Sequence, residues 1–239
     1  TLWGDPKYFA KEISKKPLFD EVVYVWGNDA NDFLVKLGYE TILVSEDNPY
    51  LTDYTKSTYG VYILKLEALK LGIEQFGEVI IMDWDVKNVK PIDEQFYKDL
   101  KGKELLMPTY SYPKEFLGFD IDGWYNTQLD ELSIYSWEID DIIVIPNASF
   151  VYCNNLEIAE KLYSIAKING IKTLVEEFSM FIYSDCSLEE YIEKYEPKCL
   201  YGRHKSFVFH FGNIRKRAED NLHQTIDSII NKNIYFVHF

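Results

Sequence analysis

The chain has 239 residues, of which 47% are hydrophobic and 27% charged, a composition that supports a well-buried core and excludes a disordered or staple-dependent chain. Asp and Glu outnumber Lys and Arg by 39 to 25, and the resulting net charge of −14 repels phosphate backbones and anionic bilayers, so no nucleic-acid partner is expected. Cys153, Cys186 and Cys199 are irregularly spaced with no Cys-x-x-Cys, which argues against a disulfide framework or zinc knuckle and for a reducing compartment. No apolar run reaches the roughly 18 residues that cross a bilayer, so no transmembrane segment is expected and the reading is cytoplasmic. Thr1 falls almost inside a strand, as in a chain with residues upstream.

In chain order, Thr1 to Gly4 reads as the end of a strand, Lys7 to Lys15 as a short helix after Pro6, and Val22 to Trp26 as a strand closed by Gly27-Asn28. Asn31 to Leu37 reads as a helix ending at Gly38, and Thr41 to Val44 as the next strand. From Tyr59 to Phe76, Tyr59, Tyr62, Leu66, Leu69, Ile73 and Phe76 recur every three or four residues, one face of a long helix that Gly77 stops. Val79 to Met82 is uninterruptedly apolar, as in a strand buried on both faces, and delivers Asp83-Trp84-Asp85 at its carboxyl end, where open α/β sheets bind ligands.

A turn at Pro91-Ile92-Asp93 and a short helix precede a strand at Leu105 to Met107. Residues 110–141 lose periodicity and interleave Tyr112, Phe116, Phe119, Trp124, Tyr125, Tyr135 and Trp137 with acidic residues, which reads as a loop-rich insertion. Strands at Ile142 to Ile145 and Phe150 to Tyr152, helices at 156–168, 173–184 and 188–195, a strand at Phe207 to His210 and a helix from Arg215 to Ile230 complete the reading. Strands separated by helices of this length imply crossovers, hence a single α/β domain over 1–239, Rossmann-like, with a mostly parallel central sheet and helices on both faces.

Asp-x-Asp at the end of a strand has a chemical use. Strand alternation puts Asp83 and Asp85 on one face, and two carboxylates that close raise each other's pKa unless a cation sits between them. Such hard oxygen ligands suit Mg²⁺ or Mn²⁺ and substrate phosphates. Taken alone, the triplet also fits a solvated turn, His210 a hydrogen-bonded core histidine, Lys65 and Lys216 solvated helix lysines, and Glu176 and Glu177 the acidic start of a helix.

The run KLEALKLGIEQFGEVIIMDWDVKNVKPIDEQFY, Lys65 to Tyr97, resembles the donor-binding segment of GT-A glycosyltransferases, most closely the family containing glycogenin and the bacterial lipopolysaccharide galactosyltransferases. Asn147-Ala-Ser-Phe-Val-Tyr-Cys153 with Glu176-Glu177-Phe-Ser-Met-Phe resembles that family's Asn-Ser/Ala-Gly strand and Asp-Gln helix start. His210-Phe-Gly-Asn-Ile-Arg-Lys216 resembles its terminal His-Phe-x-Gly-x-x-Lys. Four departures mark a distant relative: Ser149 replaces glycine, Glu-Glu replaces Asp-Gln, the last motif is one residue shorter between His and Gly, and no Pro-Trp follows Lys216.

The resemblance implies a GT-A-like fold with a donor half (1–110) and an acceptor half (111–239), and transfer of a hexose-type sugar from a nucleotide-diphosphate sugar, a UDP-sugar by preference, to a saccharide or glycoprotein acceptor. Retention of configuration is the favoured course. It implies Mn²⁺ or Mg²⁺ on Asp83, Asp85 and His210, with Asp83 touching the cation or the donor ribose. Donor contacts would come from Thr1, Leu2, Trp3, Gly4, Lys65, Trp84, Gly212 and Lys216, and Glu177 would be the sugar-contacting or acceptor-side carboxylate. An inverting course would need a general base, for which Asp140, Asp141, Glu176 and Glu177 are the candidates. Trp124, Tyr125 and Trp137 either stack on acceptor sugars or pack on one another. A catalytically silent sugar-binding module and a metal-dependent nucleotidyltransferase are the alternatives, the latter without a glycine-rich phosphate loop near the N-terminus to support it.

Overall fold

The computed structural model describes residues 22–44, 59–83, 86–88, 90–113, 132, 134–168, 174–197, 201–203 and 235–238. The expected elements at Thr1 to Gly4, Lys7 to Lys15, Phe207 to His210 and Arg215 to Ile230, and most of the 110–141 insertion, lie outside those residues.

Strand β1 (Val22–Trp26) pairs in parallel with β2 (Glu40–Val44) across helix α1 (Asn28–Lys36). Helix α2 (Tyr59–Phe76) leads into β3 (Val79–Met82), and β4 (Val86–Asn88) follows the acidic triplet. Then come α3 (Glu94–Leu100), β5 (Leu105–Leu106), β6 (Thr109–Pro113), β7 (Trp137–Ile139), β8 (Ile142–Pro146) and β9 (Phe150–Cys153). Helices α4 (Leu156–Ile168), α5 (Val175–Ser184) and α6 (Leu188–Tyr195) precede the short strands β10 (Tyr201–Arg203) and β11 (Phe236–His238).

The protein is therefore mixed α/β, but its strand pairing corrects the expectation of a mostly parallel central sheet. Among the described residues, parallel pairing is confined to β1–β2 and β10–β11. The other pairs, β3–β9, β5–β9, β6–β8, β7–β8 and β4–β11, are antiparallel, in small sheets ordered β3-β9-β5, β6-β8-β7 and β10-β11-β4. The reason is that β9 enters between β3 and β5. Running opposite to both, it leaves them pointing the same way, as a connecting helix requires, without making them neighbours.

Helix α2 buries Ile63, Leu64, Leu66, Leu69 and Ile73, a wider stripe than the expected face, while Phe76 at its end is exposed. Its approach to β3 is close enough that a Cβ on Gly72 would lie 2.8 Å from Val79 Cγ2. The four residues of β3 are each half-buried, correcting the expectation of burial on both faces, whereas β9 is fully buried. Two apolar clusters result. The larger joins α2, α4 and α5 to β8 and β9 through residues such as Leu69, Leu162, Phe178 and Ile145, and the smaller gathers Val86, Phe96, Leu106, Phe150 and Tyr235.

Trp137 belongs to the larger cluster's rim. Its ring lies 4.8 Å from those of both Phe181 and Tyr191, and its Nε1–H donates to the Cys186 carbonyl at 2.9 Å. Trp137 thus packs on α5 and α6. Asp140 and Asp141 occupy the exposed β7–β8 turn, where Asp140 adopts φ 50°, a left-handed conformation that Asp tolerates better than most residues.

Candidate functional site: a buried charge cluster at Asp83

Asp83 is fixed by backbone before its side chain acts. Its N–H donates to the Ser149 carbonyl at 2.9 Å, extending the β3–β9 ladder by one step, and its own carbonyl accepts from Val86 N–H at 3.0 Å. The chain thus turns at the carboxylate between two strands. Into this corner α2 projects Lys65, 7% exposed, whose Nζ lies 2.6 Å from Asp83 Oδ1 and 3.8 Å from Glu176 Oε1.

Glu176 and Glu177 open helix α5, where the macrodipole favours acidic residues; yet both are buried, at 2% and 8% exposure, rather than solvated. They follow Leu174, which adopts φ 43° immediately before the helix and whose carbonyl accepts from Phe178 N–H at 2.9 Å. Glu177 Oε1 accepts from the Ala148 N–H at 3.2 Å, in the turn that joins β8 to β9. In that turn Asn147 Oδ1 accepts from both the N–H and the hydroxyl of Ser149. Ser149 needs no left-handed backbone: among the described residues, positive φ outside glycine is confined to Asp140, Leu174 and Asp185. Ser149 is therefore free of backbone strain.

Electrostatics bind these groups into a unit. Burial alone would lower the Lys65 ammonium's pKa, but the charges of Asp83, Glu176 and Glu177 outweigh it and raise it above its ordinary value. Burial pushes Glu176 well above the usual carboxylate range, helped by Glu177 and opposed by Lys65. Glu177 is raised for the same first reason, against Lys65 and the Ala148 N–H. The second oxygens of both glutamates, and the Ser179 hydroxyl on the next turn, are buried without a hydrogen-bond partner among the described residues. A buried polar atom left so has an acceptor site to offer a ligand.

Four residues singled out from sequence, Lys65, Asp83, Glu176 and Glu177, are thus brought together. Thr1, Leu2, Trp3, Gly4, Trp84, Asp85, His210, Gly212 and Lys216 lie outside the described residues, as do Trp124 and Tyr125. Asp140 and Asp141 stay in their exposed turn. No group of three metal-binding side chains occurs among the described residues. The charged groups gathered at Asp83 within the described residues are the Lys65 ammonium and the Glu176 and Glu177 carboxylates. The one expected ligand within the described residues suits a hard cation: Asp83 is a carboxylate, about one-third exposed, with Oδ1 held by Lys65 and its second oxygen without a partner among the described residues.

No protein-family model matches the chain, and no curated protein matches it significantly.

Proposed function

We propose that the chain is a GT-A-like, metal-dependent glycosyltransferase that moves a hexose-type sugar from a nucleotide-diphosphate sugar, a UDP-sugar by preference, to a saccharide or glycoprotein acceptor. One observation carries the reading. Residues from three separate stretches that resemble that family, 65–97, 147–153 and 176–177, converge on a single buried cluster around Asp83. A solvated Asp-x-Asp turn would need none of this.

Each residue then has a task. Lys65 holds the Asp83 carboxylate in one orientation through Oδ1, leaving its second oxygen for the cation or the donor ribose. The divalent cation, on Asp83 with Asp85 and His210, would neutralise the diphosphate and so make it a good leaving group. Gly212 and Lys216 would meet that diphosphate, and Thr1 to Gly4 with Trp84 the nucleoside. Glu177, one oxygen fixed by Ala148 N–H and the other buried without a partner among the described residues, would meet a sugar hydroxyl, and its raised pKa makes it a stronger base than an ordinary carboxylate. Under the retaining course it orients the acceptor hydroxyl; under an inverting course it would take that hydroxyl's proton.

The test is a thermal-shift series with UDP-, GDP-, CMP- and dTDP-linked sugars, with and without Mn²⁺. A ligand at a hundredfold excess over its Kd should stabilise by about 2.7 kcal/mol. A shift for one nucleotide class that requires Mn²⁺ and disappears in Asp85→Ala is the expected result; no shift with any donor overturns the proposal. Release of the intact nucleoside diphosphate separates the transferase from a silent sugar-binding module, which releases nothing, and from a nucleotidyltransferase, which cleaves within the diphosphate.

A further inference from the structure

Residues 235–238 carry no motif, yet they reach the exit of the carboxylate corner. Strand β11 is the middle strand of its sheet: Phe236, Val237 and His238 lie opposite Asn88, Lys87 and Val86 of β4, and opposite Tyr201, Gly202 and Arg203 of β10 on the other side. Strand β4 begins three residues after Asp83, is three residues long, and has β11 as its one strand partner among the described residues. A strand so short has no stability of its own, so its register depends on that partner.

Tyr235 anchors the partner. It is fully buried, with its ring edge-on to Phe96 at 5.2 Å between centroids and beneath Lys90 Nζ at 4.6 Å. Its hydroxyl donates to Asp93 Oδ1 at 2.5 Å. Asp93 is also the N-cap of α3, accepting from Gln95 and Phe96 N–H at 3.0 and 3.2 Å, so one carboxylate ties the anchor to the element that follows β4. The corner at Asp83 is thereby held from both sides, by β9 through the Ser149 carbonyl and by β11 through β4.

We propose that Tyr235–His238 is a positioning element of the carboxylate site, which holds the strand leaving Asp83 in register and thereby sets how tightly the site takes its divalent cation. The cation half of this statement rests on the proposed function; the holding of β4 does not.

The experiment measures amide hydrogen exchange over residues 83–90 together with Mn²⁺ affinity by electron paramagnetic resonance, in the full chain and in Val237→Pro, Val237→Ile and Tyr235→Phe. Proline removes a backbone donor from the middle strand. Val237→Pro should abolish slow exchange at 86–88 and weaken Mn²⁺ binding between about 10- and 100-fold, the range for loss of a supporting partner around a metal. Amides in α4 and β8 should keep their protection, and Val237→Ile should match the unmutated chain in both readouts. Unchanged Mn²⁺ affinity in a variant whose 86–88 amides have opened overturns the proposal, as does unchanged protection there. Should Val237→Pro unfold globally, Tyr235→Phe decides: weakened Mn²⁺ binding in a folded chain upholds the proposal and equal affinity overturns it. An unmutated chain that takes up no Mn²⁺ overturns the proposed function instead, and exchange at 86–88 alone then upholds or overturns the holding of β4.

Discussion

Replacing Lys65 by Met keeps the length and packing of the side chain and removes its charge, so it isolates what the ammonium does for three carboxyl groups. Breaking a buried ion pair by removing one partner costs about 3–5 kcal/mol, because the remaining charge is left uncompensated. Here the lower end applies, since Asp83 is about one-third exposed and water takes up part of its charge, while Glu176, already disposed to hold a proton, escapes by protonation. A loss of about 3 kcal/mol corresponds to a fall in Tm of roughly 6–12 °C for a chain of this size. The assay is thermal and urea unfolding of Lys65→Met at pH 5 and pH 8. The loss should be smaller at pH 5, where Glu176 and Glu177 accept protons more readily. Adding Glu176→Gln should recover part of it, a non-additivity of about 0.5–3 kcal/mol for groups in one network. A loss below about 1 kcal/mol that does not change with pH would match an exposed pair, and would refute the reasoning that these charges share a dry site.

The two glutamates also predict a slope of stability with pH. Their folded pKa values are raised, so above the unfolded value of about 4.3 the unfolded chain releases protons that the folded chain keeps, and stability falls as pH rises, by at most about 1.4 kcal/mol per pH unit for each group until its folded pKa is reached. Glu176→Gln should flatten that slope and raise Tm at pH 7, both read by calorimetry across pH. Gly72→Ala should destabilise despite alanine's helix preference, by about 1–3 kcal/mol from overpacking against Val79, and Gly72→Ala with Val79→Ala should recover part of the loss in urea unfolding. Trp137→Ala should cost about 3–5 kcal/mol through its lost ring contacts and its bond to the Cys186 carbonyl, read as a lowered midpoint in urea unfolding; an unchanged midpoint would refute the packing role.

Helix α2, strands β1, β3 and β8 and helices α4 and α6 were legible from sequence to within a residue or two, because hydrophobic period and stop signals such as Gly77 act over a single turn or strand. Strands β4, β7, β10 and β11, three residues each, were not read, being too short for a pattern to stand out, and β6 was absorbed into the stretch read as a loop-rich insertion. Lys65 and Glu177 were legible only through resemblance. Nothing local distinguishes a lysine on an apolar helix or a glutamate in a first turn from its solvated counterparts.

The sequence by itself determined helices α2, α4 and α6, strands β1, β3 and β8, and that an aspartate stands at the end of β3, since these follow from local spacing and backbone preference. Tertiary structure alone decided that β9 runs between β3 and β5, that Glu176 and Glu177 face inward, and that β11 pairs with β4. Strand partners and burial depend on contacts between residues far apart in the chain, and the charge of Lys65 acquires its effect only where packing removes the water that would otherwise screen it.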